Sequence, residues 1–211
     1  MNFIRRPVAD IVPSFSTVED PADLRAFLDP ESAGAIWRRQ TPLSILTWLD
    51  ELDECLLPRT RTVVPRDGIY ATLKVLFDAC GLPAGPQRDW LQSDITMLAD
   101  TFANLMRSDF LRLRLEPVTT NACRKFHVDA ITARLVCTYR GTGTQYGLSK
   151  DRREEPDRIF TVATGDPILL RGTLWPENLS SGLLHRSPPI EGTGETRLVL
   201  VLDPVSGLNE D

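Results

Sequence analysis

Two hydrophobic periods divide the chain. Up to about residue 108, apolar positions recur every three or four residues; from there on they alternate with polar ones. In the first stretch, EDPADLRAFLD offers Asp20 as an N-cap ahead of Pro21 at the first helical position. TPLSILTWLDELDECL repeats the Thr-Pro start, and Ile45, Leu49, Leu52 and Leu56 follow at helical spacing. A third helix reads from Asp67 to the stop at Gly81. PQRDWLQSDITMLADTFANLMRSDF is a long amphipathic helix whose stripe of Leu91, Ile95, Leu98, Phe102 and Leu105 predicts packing against the rest of the fold. GAIWRR and RTVVP read as short strands.

The second stretch opens with FLRLRLEPV, where Leu111, Leu113 and Leu115 alternate with Arg112, Arg114 and Glu116, the mark of a half-buried strand. ITARLVCTYR, DRIFTVAT, PILLRG, GLLHRS and TRLVLVLD follow as strands between Gly, Pro and Asp turns. Helices first and strands afterwards predict an α+β fold: a mainly helical part, 1–108, packed on a closed or sandwiched antiparallel core, 109–211, as one integrated domain. The charged segment 149–158, SKDRREEPDR, reads as a solvated connection, with a lid over a site as the alternative.

Composition narrows the class. The chain has 211 residues, 42% hydrophobic and 25% charged, ordinary values for a globular protein. A net charge of −5 without a basic block gives no bulk attraction to nucleic acid or anionic membrane. No apolar run approaches membrane-spanning length, and the start lacks the apolar core of a secretory signal. The four cysteines are widely spaced without a C-x-x-C, so free thiols in a reducing cytoplasm are expected.

The candidate chemistry rests on the only two histidines, His127 and His185. His127 stands two residues before Asp129, and on a strand such a pair points to one face. Two imidazoles and one carboxylate on one side of a divalent ion leave positions open opposite, the facial arrangement of non-heme Fe(II) oxygenases. Twelve residues after His185, Arg197 opens the last apolar strand. A buried guanidinium calls for an anion, and the distal carboxylate of a metal-chelating 2-oxoacid would suit it. Tyr139, ten residues past Asp129, shares its face by even spacing, so its hydroxyl could bond the same carboxylate.

The order His127-x-Asp129, His185 in HRSPP, then Gly194-Glu-Thr-Arg197 is similar to Fe(II)/2-oxoglutarate-dependent dioxygenases of the prolyl-hydroxylase type. More narrowly, AIWRR, LRLRLE, CRKFHVD, TYRGTGTQY, LLRG, HRSPP and RLVLVLD together resemble the DUF1826 family of uncharacterised bacterial proteins. The first resemblance implies a double-stranded β-helix (jelly-roll or cupin-like) core, Fe(II) held by His127, Asp129 and His185, and 2-oxoglutarate anchored by Arg197 and Tyr139. The implied reaction is hydroxylation of an unidentified substrate, a small molecule or a protein side chain. Arg140, Thr144, Gln145, Arg112 and Arg114 are the candidate substrate contacts; polar turn chemistry explains the first three equally well, and exposure to water the last two. The alternative is a cupin-like protein that binds Zn(II) or another divalent ion in metal homeostasis, with no turnover. In that case Arg197 is a structural residue paired with Glu195, and Tyr139 is a packing residue.

Overall fold

The computed structural model describes residues 14–121, 123–149, 154–176 and 182–208. Three strands, β1 (Ser14–Val18), β2 (Ser32–Trp37) and β3 (Thr60–Pro65), are interspersed with the helices α1 (Leu43–Glu51), α2 (Ile69–Ala79) and α3 (Pro86–Met106). Seven more strands follow: β4 (Phe110–Val118), β5 (Ala133–Arg140), β6 (Gln145–Leu148), β7 (Phe160–Thr161), β8 (Pro167–Arg171), β9 (Leu183–Arg186) and β10 (Arg197–Val205). They form a seven-stranded sheet in the order β1-β2-β8-β5-β10-β4-β3 and a three-stranded sheet in the order β7-β6-β9. Every neighbouring pair is antiparallel except β1 and β2. This is the α+β, double-stranded β-helix arrangement expected from the order of elements.

Strand alternation decides which side chains reach the site. Leu111, Leu113 and Leu115 of β4, Leu198, Leu200 and Leu202 of β10, and Ala133, Leu135 and Cys137 of β5 share one core with Leu91, Ile95, Leu98 and Phe102 of α3. The α3 stripe therefore covers the outer face of the large sheet. The opposite face carries a smaller cluster, with Val136, Ile168, Leu170, Leu183, Val199 and Val201. On that inner face the alternating polar residues of β4 and β5 line the site.

Several elements depart from expectation. Asp20 does accept from Ala22 N, at 2.8 Å, but Pro21–Leu28 is a 3-10 helix rather than an α-helix. The second helix stops at Glu51, short of Leu56. Asp53 accepts from Cys55 N at 2.9 Å and starts a separate 3-10 turn, so a side chain competes with helix continuation. The 1–108 segment supplies three strands to the large sheet, one of them, β1, not expected from the sequence. Within DRIFTVAT only Phe160–Thr161 is strand, while Gln145–Leu148, for which no strand is expected, is strand β6. Of the segment 149–158, residues 150–153 lie outside the described residues. Among the described residues no helix is long and apolar enough to cross a membrane, and all four cysteines are free.

Candidate metal centre

His127 is not on a regular strand. It forms a single antiparallel bridge with His185 of β9, through His127 N to His185 O at 3.1 Å and His185 N to His127 O at 3.0 Å. Cross-strand partners present side chains to the same face, and the two imidazole rings lie 4.5 Å apart. Asp129 sits in the turn that follows, ahead of β5, so strand alternation does not aim it. Backbone bonds to the end of β8 do: Thr173 N to Asp129 O (2.9 Å), Gly172 N to Thr132 O (3.0 Å) and Leu174 N to Ile131 O (3.0 Å).

The seam between these segments needs Gly172. A Cβ there would lie 1.9 Å from Ile131 O and 2.8 Å from Asp129 O, both backbone atoms that cannot swing aside. Gly172→Ala is expected to push the Asp129 turn off β8, lowering divalent-metal affinity by about 10- to 100-fold and stability by about 1–3 kcal/mol. Metal titration and urea unfolding read both effects. A variant matching the parent in each would mean that the seam does not position Asp129.

One candidate ligand atom from each of His127, Asp129 and His185 lies within 4.8 Å of the others. Asp129 Oδ1 is 3.4 Å from His127 Nε2, and Oδ2 is 3.1 Å from His185 Nε2. An octahedral ion held at about 2.1 Å would set neighbouring donors about 3 Å apart; the two contacts to Asp129 are near that spacing, and the set as a whole, spread to 4.8 Å, would draw in around an ion. His127 Nδ1 lies 2.8 Å from Lys125 O. Donation to that carbonyl sets Nε2 as the atom facing Asp129; without an ion Nε2 carries a proton towards the carboxylate, and an ion would take that proton's place.

The electrostatics favour an anionic carboxylate between imidazoles. Burial alone would raise the Asp129 pKa, but hydrogen bonds from His127 and His185 and the charge of Arg134 outweigh it and hold the group well below the usual carboxylate range. The hydrogen bond to Asp129 raises the His127 pKa. Burial lowers that of His185 despite the same partner. Arg134 Nη1 donates to Asp129 Oδ2 at 2.7 Å, while its Nε and Nη2 grip Asp203 at 2.7 and 2.8 Å. The Asp129 carboxylate is thus oriented by a guanidinium that is itself locked.

Arg197 opens onto the same cavity as His127 and His185. It is only 2% exposed. Nε donates to Thr142 O (2.6 Å) and Nη2 to Thr138 Oγ1 (3.1 Å). Glu195 turns away to accept from Thr142 N (2.5 Å) and Oγ1 (3.0 Å). Among the described residues Arg197 has no carboxylate within ion-pair distance. Burial pushes its pKa down to about 10, with Glu195 opposing, so it is still charged at neutral pH. A buried cation with two neutral acceptors and an open cavity in front of it has donors to spare for an anion.

Tyr139 is a correction. Its hydroxyl donates to Asp94 Oδ2 at 2.5 Å, on the helix side of the sheet, away from Arg197. The even spacing from Asp129 fails because β5 begins only at Ala133, and alternation does not run through the preceding turn. A register irregularity between Leu198 and Val199 also leaves Tyr139 without a β10 partner. Thr138 is the β5 side chain that meets Arg197. Arg140 points elsewhere too, with Nη1 on Leu52 O at 2.9 Å. Thr144 and Arg114 line the cavity. Gln145 lies beside it, accepting from Arg186 Nε at 2.8 Å. Arg112 lies opposite Asp203 in the β4–β10 register.

Three residues at the site escaped the sequence reading: Arg134, Asp203 and Thr138. Their signal was present, since each is a polar residue inside an otherwise apolar strand, at the parity that faces inward.

A family model described as a protein of unknown function, DUF1826, matches residues 18–203. The chain belongs to DUF1826. No curated protein matches this DUF1826 member. Among solved structures it is similar to the dioxygenase for auxin oxidation 1 of Arabidopsis thaliana in complex with 2-oxoglutarate (TM-score 0.55, 9% identity, 94% of each chain). It also matches a 2OG-Fe(II) oxygenase family oxidoreductase from Burkholderia pseudomallei (TM-score 0.47, 16% identity, 91% of this chain and 95% of that one). A third match is a Pseudomonas putida prolyl-4-hydroxylase (TM-score 0.45, 14% identity, 94% and 99%). At such identities the Arabidopsis match speaks for the fold alone.

Proposed function

We propose that this DUF1826 protein is a mononuclear non-heme Fe(II)/2-oxoglutarate-dependent oxygenase that hydroxylates its substrate. The observation that carries the reading is one cavity lined by His127, His185 and a buried Arg197 that has no carboxylate partner among the described residues. A metal-binding module with no cosubstrate would need the first two and not the third. The Arabidopsis dioxygenase of the same fold is a complex with 2-oxoglutarate.

His127, Asp129 and His185 would hold the ion, the mixed nitrogen and oxygen donor set suiting Fe(II). When bound, Fe(II) with 2-oxoglutarate supplies the activation of dioxygen and the oxidising power for C–H hydroxylation. The chain's own residues prepare the site. Arg134 keeps Asp129 anionic and oriented, and the Lys125 carbonyl selects the His127 tautomer. Arg197, steadied by Thr138 and the Thr142 carbonyl, offers its remaining donors to a carboxylate. Val136, Val199 and Val201 line the cavity and limit water around these charges.

Anaerobic titration of Fe(II)-loaded protein with 2-oxoglutarate tests this, read by the visible charge-transfer absorption of the chelate. Saturable absorption is expected. Arg197→Gln is expected to keep Fe(II) but weaken 2-oxoglutarate by about 100-fold, the usual cost of removing one member of a buried charge pair. Normal iron binding without the band, or an unchanged Arg197→Gln titration, removes the cosubstrate assignment. Metal content after growth in iron-rich and zinc-rich media then decides for a zinc-binding module.

A further inference from the structure

Resting on the oxygenase reading, a second cationic pole of the cavity bears on the substrate. Four guanidiniums line the cavity among the described residues, those of Arg114, Arg134, Arg186 and Arg197, against one carboxylate, Glu116. Arg134 is neutralised by Asp129 and Asp203. Arg197 serves the cosubstrate on the reading above. Arg186 and Arg114 are left over; Arg186 is held by the Gln145 side-chain oxygen at 2.8 Å and lies over the Phe126 ring, while the surroundings of Arg114 are unusual.

In the β3–β4 register Arg61 stands directly opposite Arg114, so two like charges share one face as cross-strand neighbours. Such a pair is destabilising unless something anionic lies between or above it. Glu116 Oε1, on the same face, is 3.4 Å from Arg114 Nε and offsets one of the two charges. That contact is not a hydrogen bond, and Arg114 Nε is buried without an acceptor. Nε is closed off beside Glu116, and the exposed third of the Arg114 side chain is what a ligand in the cavity would meet. The like-charge pair, only half offset by Glu116, calls for an anion at the exposed end of Arg114.

The position is right for a substrate rather than for the cosubstrate. Along β10, Arg197 is opposite Val118 and Arg114 is opposite Val201. Four residues of strand, about 13 Å, separate the two poles. Across the sheet, Val201 is in turn opposite Val136, two residues beyond Arg134. Arg114 therefore lies two strands, about 10 Å, from the strand that carries the Asp129 anchor.

We propose that Arg114, with Arg61 beside it, receives an anionic group of the substrate, a carboxylate or a phosphate, and so holds an acidic substrate over the metal. The neutral amide or hydroxyl of an uncharged substrate would leave the paired guanidiniums uncompensated.

The test is isothermal titration of protein loaded anaerobically with Fe(II) and saturated with 2-oxoglutarate, so that Arg197 is occupied. The probes are benzoate, phenyl phosphate and, as the neutral control, benzamide. At least one anion is expected to bind saturably and benzamide not; the tighter anion names the group. Arg114→Gln is expected to weaken that anion at least tenfold while Fe(II) and 2-oxoglutarate bind as in the parent, and Arg114→Lys to recover part of the loss. Should Arg114→Gln fail to fold, Arg61→Gln carries the same test. No saturable anion binding to the parent, or binding unchanged in the folded variant, overturns the proposal. Repeating the titration without metal separates the two readings: an anion held by Arg114 in a protein that binds no Fe(II) keeps this site and removes the oxygenase assignment.

Discussion

Asp129→Ala is expected to abolish Fe(II) binding while leaving the fold nearly unchanged. The two halves of that outcome have different causes. Asp129 contributes the only carboxylate of the proposed ligand set, and both imidazoles approach it, at 3.4 and 3.1 Å. Losing a group that merely orients a ligand costs about 10- to 100-fold in metal affinity, so losing the ligand itself should cost on the order of a thousandfold or more. The fold survives because the guanidinium behind Asp129 is not orphaned. Arg134 keeps its two bonds to Asp203 when Asp129 is gone. His185→Ala should lose the metal equally. Iron content after anaerobic reconstitution and desalting, together with urea unfolding, measures both halves. One iron per chain in Asp129→Ala would sink the ligand assignment.

The largest stability effect is expected on the other face of the sheet. Arg39 enters the helix-side core and meets Asp94 of α3 with Nη1 at 2.6 Å and Nη2 at 2.7 Å. Both side chains are over nine-tenths buried. The Tyr139 hydroxyl donates to the same carboxylate, and burial raises the pKa of that phenol well above its ordinary value, so it stays a donor. Asp94→Ala leaves a buried guanidinium without its anion and a buried phenol without its acceptor. Breaking such a pair from one side costs about 3–5 kcal/mol, a large share of the 5–15 kcal/mol typical of a domain. Tyr139→Phe removes one bond and leaves the bidentate pair, so about 1 kcal/mol is expected. Neither residue touches the cavity around Arg197, so Tyr139→Phe should bind 2-oxoglutarate as the parent does. Weakened binding in that variant would restore Tyr139 to the cosubstrate pocket. Urea denaturation gives the stabilities, and a loss under 2 kcal/mol in Asp94→Ala would contradict the buried-pair account.

Legibility in the sequence followed how local each cause was. The alternation of β4 and the stripe of α3 are properties of consecutive residues, and both faces came out as read. The 3-10 turn at Glu54–Leu56 was hidden because Leu52 and Leu56 keep helical spacing while Asp53 diverts the backbone with its own side chain. Strand β6 was hidden for a related reason. It is four residues long, and its Gly147 exists because Pro156 and the Arg158 carbonyl pass too close for a Cβ, a contact from another segment.

The site divides along the same line. Sequence alone determined the inventory: two imidazoles, one carboxylate at short spacing from the first, and one arginine heading an apolar strand. With so few histidines, a candidate metal centre had few ways to be assembled. Tertiary structure alone decided which of these groups meet. It took the bridge to His185 to face the two rings, and the seam at Gly172 to aim an Asp129 that no strand carries. It also took the start of β5 at Ala133, after the turn, to reset the alternation so that Tyr139 faces outward with Leu135 and Cys137 and Thr138 lies beside Arg197. The physical reason is that side-chain direction is inherited from local backbone only while the backbone is regular. Once a turn or a bulge intervenes, direction is set by hydrogen bonds to segments distant in sequence.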